Sequence, residues 1–515
     1  LSQQPTLKEE EPRRTKIFTK FKGVVNNSAR NALPDEAWFY LENLHPIGDA
    51  NVQTVQNISA ALFDYTTHII YWAQYANVNG SDYLISFSTD GFVYAYNIGL
   101  GTNTQIGSGL SGSGSRMSQW KNTQALIIDS SGYYNWPGSG TLTLISGAGV
   151  PSNGTDIAVA FGRVWILQGR LLTFSGANDF TAPAFTVANG AGSVALTDPT
   201  LRTYVTRLQA QNGYLYLIGP TGINVISDLY VPAGASPPTP LFTNLNIQAI
   251  IGSDEPGSVF AYNQALVFAN HSGIWMLYGT NAQKISSDID GTWKYVDFTQ
   301  FISGGQFVDN NILSLGMLIK RLNDPFFGSN TVLACWNDNK WWFANFGALT
   351  FVAPAIVNIN ALTANEPALF GFIGNKLYQL FATFASSPAT IAMTPLWPME
   401  DQLADKQCIR AGFEVIISAF SGTFGMTVDT TNSSSQAVTL STSGNVTWVN
   451  NFSNQVQWQN NFLVLVQWFT GQYLLYNATA PAVYGKYLGA TIAASASIYQ
   501  LSSVAMDYKL RARWN

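Results

Sequence analysis

Charge is what this chain has least of. Only 11% of its 515 residues are Asp, Glu, Lys or Arg, against roughly 25% in an average globular protein. Polarity comes instead from Asn, Gln, Ser, Thr and Gly. Such a surface suits a protein buried in an assembly, where charge is costly to desolvate at an interface. The net charge is −5, and no basic stretch follows the first 30 residues, which excludes an electrostatic grip on nucleic acid while leaving room for weak contact in transit. Cysteine is nearly absent. Cys335 and Cys408 form no CxxC, which excludes a disulfide scaffold and a cysteine-rich zinc site; two thiols suit a reducing cytoplasm. No run of 18 apolar residues spans a membrane. The polar start shows no signal-peptide core, and the first residue, Leu1, leaves room for residues upstream.

The residues of catalysis are also scarce. The three histidines, His45, His68 and His271, are far apart, and none has a second metal-type ligand two to four residues on. After residue 45 the only glutamates are Glu255, Glu366, Glu400 and Glu414. Asp254-Glu255 forms one loop cluster. Asp288 and Asp290 form another, with Asp297 beyond; Asp-x-Asp-Gly is a fragment of a calcium loop whose closing ligands do not follow, and turn-forming Asp is the better account. Gly107 to Gly112 matches GxGxxG in spacing but lies in a Gly/Ser tract with no helix pattern after it. There is no nucleophile elbow or P-loop. We therefore expect no catalytic residue, no cofactor and no metal.

What the chain does have is a repeat. Apolar runs flank tight turns at Asp90-Gly91, Ser131-Gly132, Gly169-Arg170, Thr221-Gly222, Ser272-Gly273, Asn339-Lys340 and Asn375-Lys376. The mean spacing of about 47 residues is that of propeller and array repeats. The strands are apolar on both faces, as in Ile274 to Tyr278, so each sheet needs a neighbour on either side, which blades around an axis provide. The expected fold is an all-β β-propeller of about six or seven irregular blades, with a C-terminal antiparallel β-sandwich-like domain and an extended N-terminal arm. The domains would be 1–59, an arm or docking segment whose first 45 residues carry 13 of the 55 charges; 60–400, the propeller; and 401–515, a β-rich block with strands that include 446–449 and 462–468. The wide gap between Ser272 and Asn339 predicts an inserted region near 290–330, outside the blades. Residues 35–41 and 397–403 are expected to form a helical turn or two. The run Val231 to Pro240, with four prolines, reads as an exposed loop. Trp336, Trp341 and Trp342 cluster, either to stack a sugar or to fill a gap between blades.

Three segments carry a resemblance. The first runs from Phe21 to Leu44, with Gly23, Arg30, Pro34 and the aromatic-Leu-Glu-Asn run Trp38 to Asn43, continued by Pro46 to Val52, where Ala50 stands in place of a frequent Gly. The second is Val267 to Gly279 followed by Lys284 to Asp288 and Asp290-Gly291. The third is the closing Tyr508 to Trp514. Together they make the chain similar to the tail nozzle proteins of short-tailed, podovirus-type bacteriophages. The resemblance implies a structural virion protein: a homohexameric ring at the distal end of the head–tail connector, retaining the genome and then passing it. Its implied partners are the tail adaptor ring, tail fibres or tailspikes, and viral DNA in transit through the lumen. It would be assembled in the host cytoplasm and reside in the phage tail. It brings no catalytic residues. The alternative is a carbohydrate-binding or depolymerising tail propeller, whose candidate acids Asp254, Glu255, Asp288 and Asp290 would face the channel.

Overall fold

The computed structural model describes residues 12–49, 51–202, 204–300, 302–357, 366–382, 386–416, 419–429, 431–441, 473–495 and 498–511. The expected strands at 446–449 and 462–468 lie outside these, as do residues 8–11 of the arm. The chain divides into two compact units: Leu1–Asn57, Lys340–Asn345 and Phe384–Asn515 form the first, and Ile58–Asn339 with Phe346–Thr383 the second. The expected segments 1–59 and 401–515 thus fall together in one unit, apart from Ile58 and Ser59.

The second unit is a β-propeller. Among the described residues it holds seven successive antiparallel sheets, and in six of them four strands pair in order. Blade one is Ile70–Val78, Ser81–Ser88, Val93–Asn97 and Thr102–Gly107. Blades two to five begin at Arg116–Trp120, Asp156–Ala160, Arg207–Gln211 and Phe260–Tyr262. Blade six contributes Ser303–Asp309, Ile312–Asp324 and Gly328–Asn337, and blade seven begins at Leu349–Val357. The first strand of most blades packs on the first strand of the next, and that of blade seven on that of blade one, so the first strands are innermost and the ring closes. The chain closes the ring on itself by strand pairing: the outermost strand of blade seven is Phe63–Asp64, from the start of the unit, paired with Leu377 and Lys376.

Alternation on both faces explains the stack. In blade two, Ala125 and Ile127 enter the core shared with blade one, whereas Leu126 and Ile128 enter the core shared with blade three; all four are fully buried. Trp165 and Leu167 likewise face blade four while Val164 and Ile166 face blade two. Each buried large aliphatic side chain contributes about 1.5–3 kcal/mol of transfer free energy. The hairpin turns use local polar chemistry. Asp129 Oδ1 accepts from the Ser131 N–H at 2.7 Å, and Asn270 Oδ1 from the Ser272 N–H at 2.9 Å. Gly91 sits at φ +83°, and a Cβ there would lie 2.4 Å from the Leu110 carbonyl oxygen, so the position requires glycine.

Two expectations are corrected. The region near 290–330 is not an insertion. Its strands Ser303–Asp309 and Ile312–Asp324 are the first two of blade six, whose middle turn lies at Phe326, where Asp324 Oδ1 accepts from the Phe326 and Phe327 N–H groups. The turn at Asn339-Lys340 comes after the third strand, so counting it as the middle turn created the wide gap. Nor are 35–41 and 397–403 helical. Tyr40–Glu42 is a strand paired with Met393 to Ile391, and Trp397 makes a bridge to Leu488. Among the described residues the α-helix is Asp290–Trp293, one turn long.

The first unit is a sandwich-like pair of sheets. In one, Lys406–Ile416 lies between Tyr473–Gly485 and Gln500–Leu510, and the last also takes Arg14–Phe18. In the other, Thr390–Met393, Leu488–Ala494, Ala419–Val428 and Thr431–Ser441 pair in turn, with Tyr40–Glu42 on Thr390–Met393. Phe413 of one sheet packs on Phe420 and Phe424 of the other. The N-terminal arm lies as an edge strand, anchored by Phe18 stacked on Trp397 at 3.4 Å and by buried Phe21.

Candidate functional site

The carboxylates singled out from sequence sit in the connectors between blades. Asp254 and Glu255 join blades four and five. His271, in the blade-five turn, brings Nε2 to 3.7 Å from Asp254 Oδ2 and its ring to 4.1 Å from that of Phe298. Burial, reinforced by the Asp254 charge, pushes Glu255 up to about 7, against a hydrogen bond from the Ile302 backbone. Burial and then Asp290 also raise Asp288, while Asp290 pairs with Lys284 at 2.8 Å. Asp297 is held below the usual carboxylate range by Thr299, whose hydroxyl and N–H donate at 2.6 and 3.0 Å. The structure brings Asp254, Glu255 and His271 together and places none of these acids on the wall of the axial cavity. No group of three His, Cys, Asp or Glu among the described residues is arranged to hold a metal.

The remaining candidates have structural surroundings. His45 is fully buried and stacked on Trp342 at 4.7 Å. His68 Nδ1 meets Asp90 Oδ2 at 2.6 Å, tying a connector to the blade-one turn. Glu400 pairs with Arg14, and Glu414 accepts from Ser502 and Ser503. Trp341 and Trp342 are buried and Trp336 meets Tyr262 edge to face, so the tryptophan cluster is core and offers no exposed stacking platform. After Gly107 to Gly112 comes the strand Arg116–Trp120, with no helix to receive a phosphate.

The concave feature of the propeller is its axis. A cavity of about 270 Å³ is lined by innermost strands of blades one, four, five, six and seven, among them Trp72, Gln74, Arg207, Gln209, Gln306 and Phe351. Beside it lies a charged cluster that no sequence motif announced. Arg116 opens blade two, Asp156 blade three and Arg207 blade four. Arg207 Nη1 donates to Asp156 Oδ1 at 3.1 Å, the Leu208 N–H donates to Oδ2 at 2.6 Å, and the Arg116 and Arg207 guanidiniums lie 3.8 and 5.4 Å from the centre of the Trp72 ring. The available signal was a charge at the first position of a strand, in a chain where charge is rare.

No family model matches the chain, and no curated protein matches it. Among solved structures it is similar to U3-55K (9% identity, covering 63% of this chain and 98% of that one, TM-score 0.34) and to the RRP9 WD40 repeats (10%, 64% and 99%, TM-score 0.37). It is also similar to the computationally designed Ika8 protein (11%, 71% and 100%, TM-score 0.36). At these TM-scores the likeness adds nothing to the strand pairing, and it is the pairing that makes the second unit a β-propeller.

Proposed function

We propose that this chain is a structural subunit of a ring assembly, the tail nozzle of a short-tailed bacteriophage, docked to a tail adaptor ring and to tail fibres or tailspikes. The observation that carries assembly is the outer edge of blade four. Its outermost strand, Leu241–Gln248, is the longest of the outermost strands in the six four-stranded sheets, and among the described residues it pairs on one side only. Leu241 and Leu245 are 51% and 53% exposed, and Tyr230 and Ile250 beside the strand are 58% and 85% exposed. Soluble monomers blunt such edges with charge or keep them short; this one carries no Lys, Arg, Asp or Glu. An uncharged, partly apolar edge of this kind fits a second copy of the chain.

The nozzle in particular rests on the resemblance of the segments around Phe21 to Leu44, Val267 to Gly291 and Tyr508 to Trp514. The axial cavity bears on the route of DNA. A space of about 270 Å³ is far too small for a duplex whose major groove alone is about 12 Å wide, so the genome would pass through a lumen between subunits and not along a propeller axis. The test is the mass of the purified full chain by light scattering, with imaging of the particles. A six-fold ring that Leu245→Asp dissociates is the expected result. A monodisperse single chain at micromolar concentration, together with absence from purified virions, overturns the reading.

A further inference from the structure

The axial cluster is unbalanced. Arg116 and Arg207 are only 9% and 7% exposed, and the one acid that meets them, Asp156, is fully buried with both oxygens already engaged, by Arg207 and by the Leu208 N–H. The Nε of each arginine is buried without an acceptor. Arg116 Nη1 donates to the Ser115 carbonyl at 2.9 Å, a neutral acceptor, so the pair still lacks a second counter-charge; a buried charge that is not neutralised is costly, and the face of Trp72 offsets part of that for both. The cavity wall continues the excess of donors. Gln74 commits its Oε1 to the Trp72 indole N–H at 2.8 Å and the Met117 N–H at 2.9 Å, and Gln306 turns its Oε1 to the Asn263 N–H; each leaves an amide NH2 to give. Gln209 donates to the Ala210 carbonyl and keeps its Oε1 to accept. The wall contains no carboxylate. Burial lowers Arg116 to about 10, so it stays cationic at neutral pH.

We propose that the axial cavity of the propeller is a binding site for a small oxyanion, a carboxylate or phosphate group on a compound of about monosaccharide size, held by Arg207 with the amides of Gln74 and Gln306 beside Trp72. Two guanidiniums against one carboxylate leave one positive charge, which a monoanion neutralises. Hydroxyl groups on the same compound find an acceptor in Gln209, and its apolar face meets Trp72 and Phe351. The site stands apart from the assembly reading, because all of its residues belong to one propeller.

The experiment is calorimetric titration of the full chain with galacturonate, with inorganic phosphate and with neutral galactose, each backed by thermal denaturation. Binding of galacturonate without phosphate identifies a carboxylate ligand, and the reverse a phosphate. Binding of galactose as tight as that of galacturonate, or no binding by either anion, overturns the proposal. Arg207→Gln strands Asp156 and risks the fold, so the deciding variant is Gln306→Glu, which keeps the Oε acceptor and adds a negative charge to the wall. It is expected to weaken anion binding roughly tenfold or more with no fall in melting temperature, since the new carboxylate meets the uncompensated positive charge. Undiminished affinity in Gln306→Glu places the anion elsewhere and sinks the site.

Discussion

Within a blade, partners are close in sequence: Asp129 pairs with Gly132, and Leu167 with Leu172. In the first unit two hairpins are local, Ile47 with Asn51 and Val428 with Thr431, but many pairings are remote: Arg14 pairs with Tyr508, Gln53 with Gln500, and Glu42 with Ile391. Each propeller sheet therefore closes short loops, and among the described residues the propeller's long-range pairing is the two-residue closure of Phe63–Asp64 on blade seven. Beyond those hairpins the sandwich-like sheets must bring distant segments of the chain together before their register forms, which raises the loop-closure cost and the contact order. Stability in the propeller is spread over repeated neighbours, whereas in the first unit it converges on a few central strands.

The strongest way to break that contrast is to remove Gln500–Leu510. This strand pairs with Arg14–Phe18 and Lys406–Ile416 and buries Leu501, Val504, Met506 and Tyr508. Truncation after Ser495 is expected to abolish amide-exchange protection in both partner strands, a loss of the whole local stability. Blades one to five, which draw no strand from that segment, should keep theirs. Continued protection of Lys406–Ile416 would show that the first unit does not depend on its termini.

A single propeller side chain should matter less. Trp165 is fully buried and packs on Phe174 and Phe242, at 5.1 and 5.6 Å. Trp165→Ala is expected to cost about 3–5 kcal/mol, read as a lower urea midpoint with exchange losses concentrated in blades three and four. Uniform loss around all seven blades would mean that the ring unfolds as one unit and not as neighbours. Next in size is Asp156→Asn. It keeps an acceptor for the Leu208 N–H but leaves Arg207 without its counter-charge, at a cost of about 3 kcal/mol. A change within the scatter of surface substitutions, about 0.5 kcal/mol, would mean that water already solvates that guanidinium.

The same contrast explains what could be read from the chain. Turns are local chemistry, so Asp90-Gly91 and Asn375-Lys376 declared themselves, and two-sided apolar runs declared the stacking of sheets. Blade six is hidden in the sequence because Asn339-Lys340 is as good a turn as Phe326, and only pairing tells the second strand from the third. The short helices expected at 35–41 and 397–403 gave way to pairing with residues some 90 to 350 positions away, which local propensity does not register. The axial cluster was hidden for a similar reason. Arg116, Asp156 and Arg207 stand 40 and 51 residues apart, and only the closing of the ring makes them neighbours. The acids of the connectors were visible as residues, but not their distance from the axis.

The smallest expected effect tests the connectors, where burial raises Glu255 and Asp288. Glu255 has a raised folded-state pKa of about 7, against 4.5 for the free side chain. Below about pH 4.5 both folded and unfolded chains hold the proton. Between 4.5 and 7 the folded chain holds a proton that the unfolded chain releases, so stability falls as pH rises through this window and levels off above 7. The group is only partly buried, and solvent screening trims the effect to on the order of 1 kcal/mol. Glu255→Gln, which mimics the protonated acid, should therefore match the parent near pH 4.5 and exceed it in melting temperature by a few degrees at pH 8. Parallel melting curves for the two proteins from pH 4.5 to 8 would mean that Glu255 ionises freely in the fold, and that the connector between blades four and five is as open to water as the outer edge of a blade.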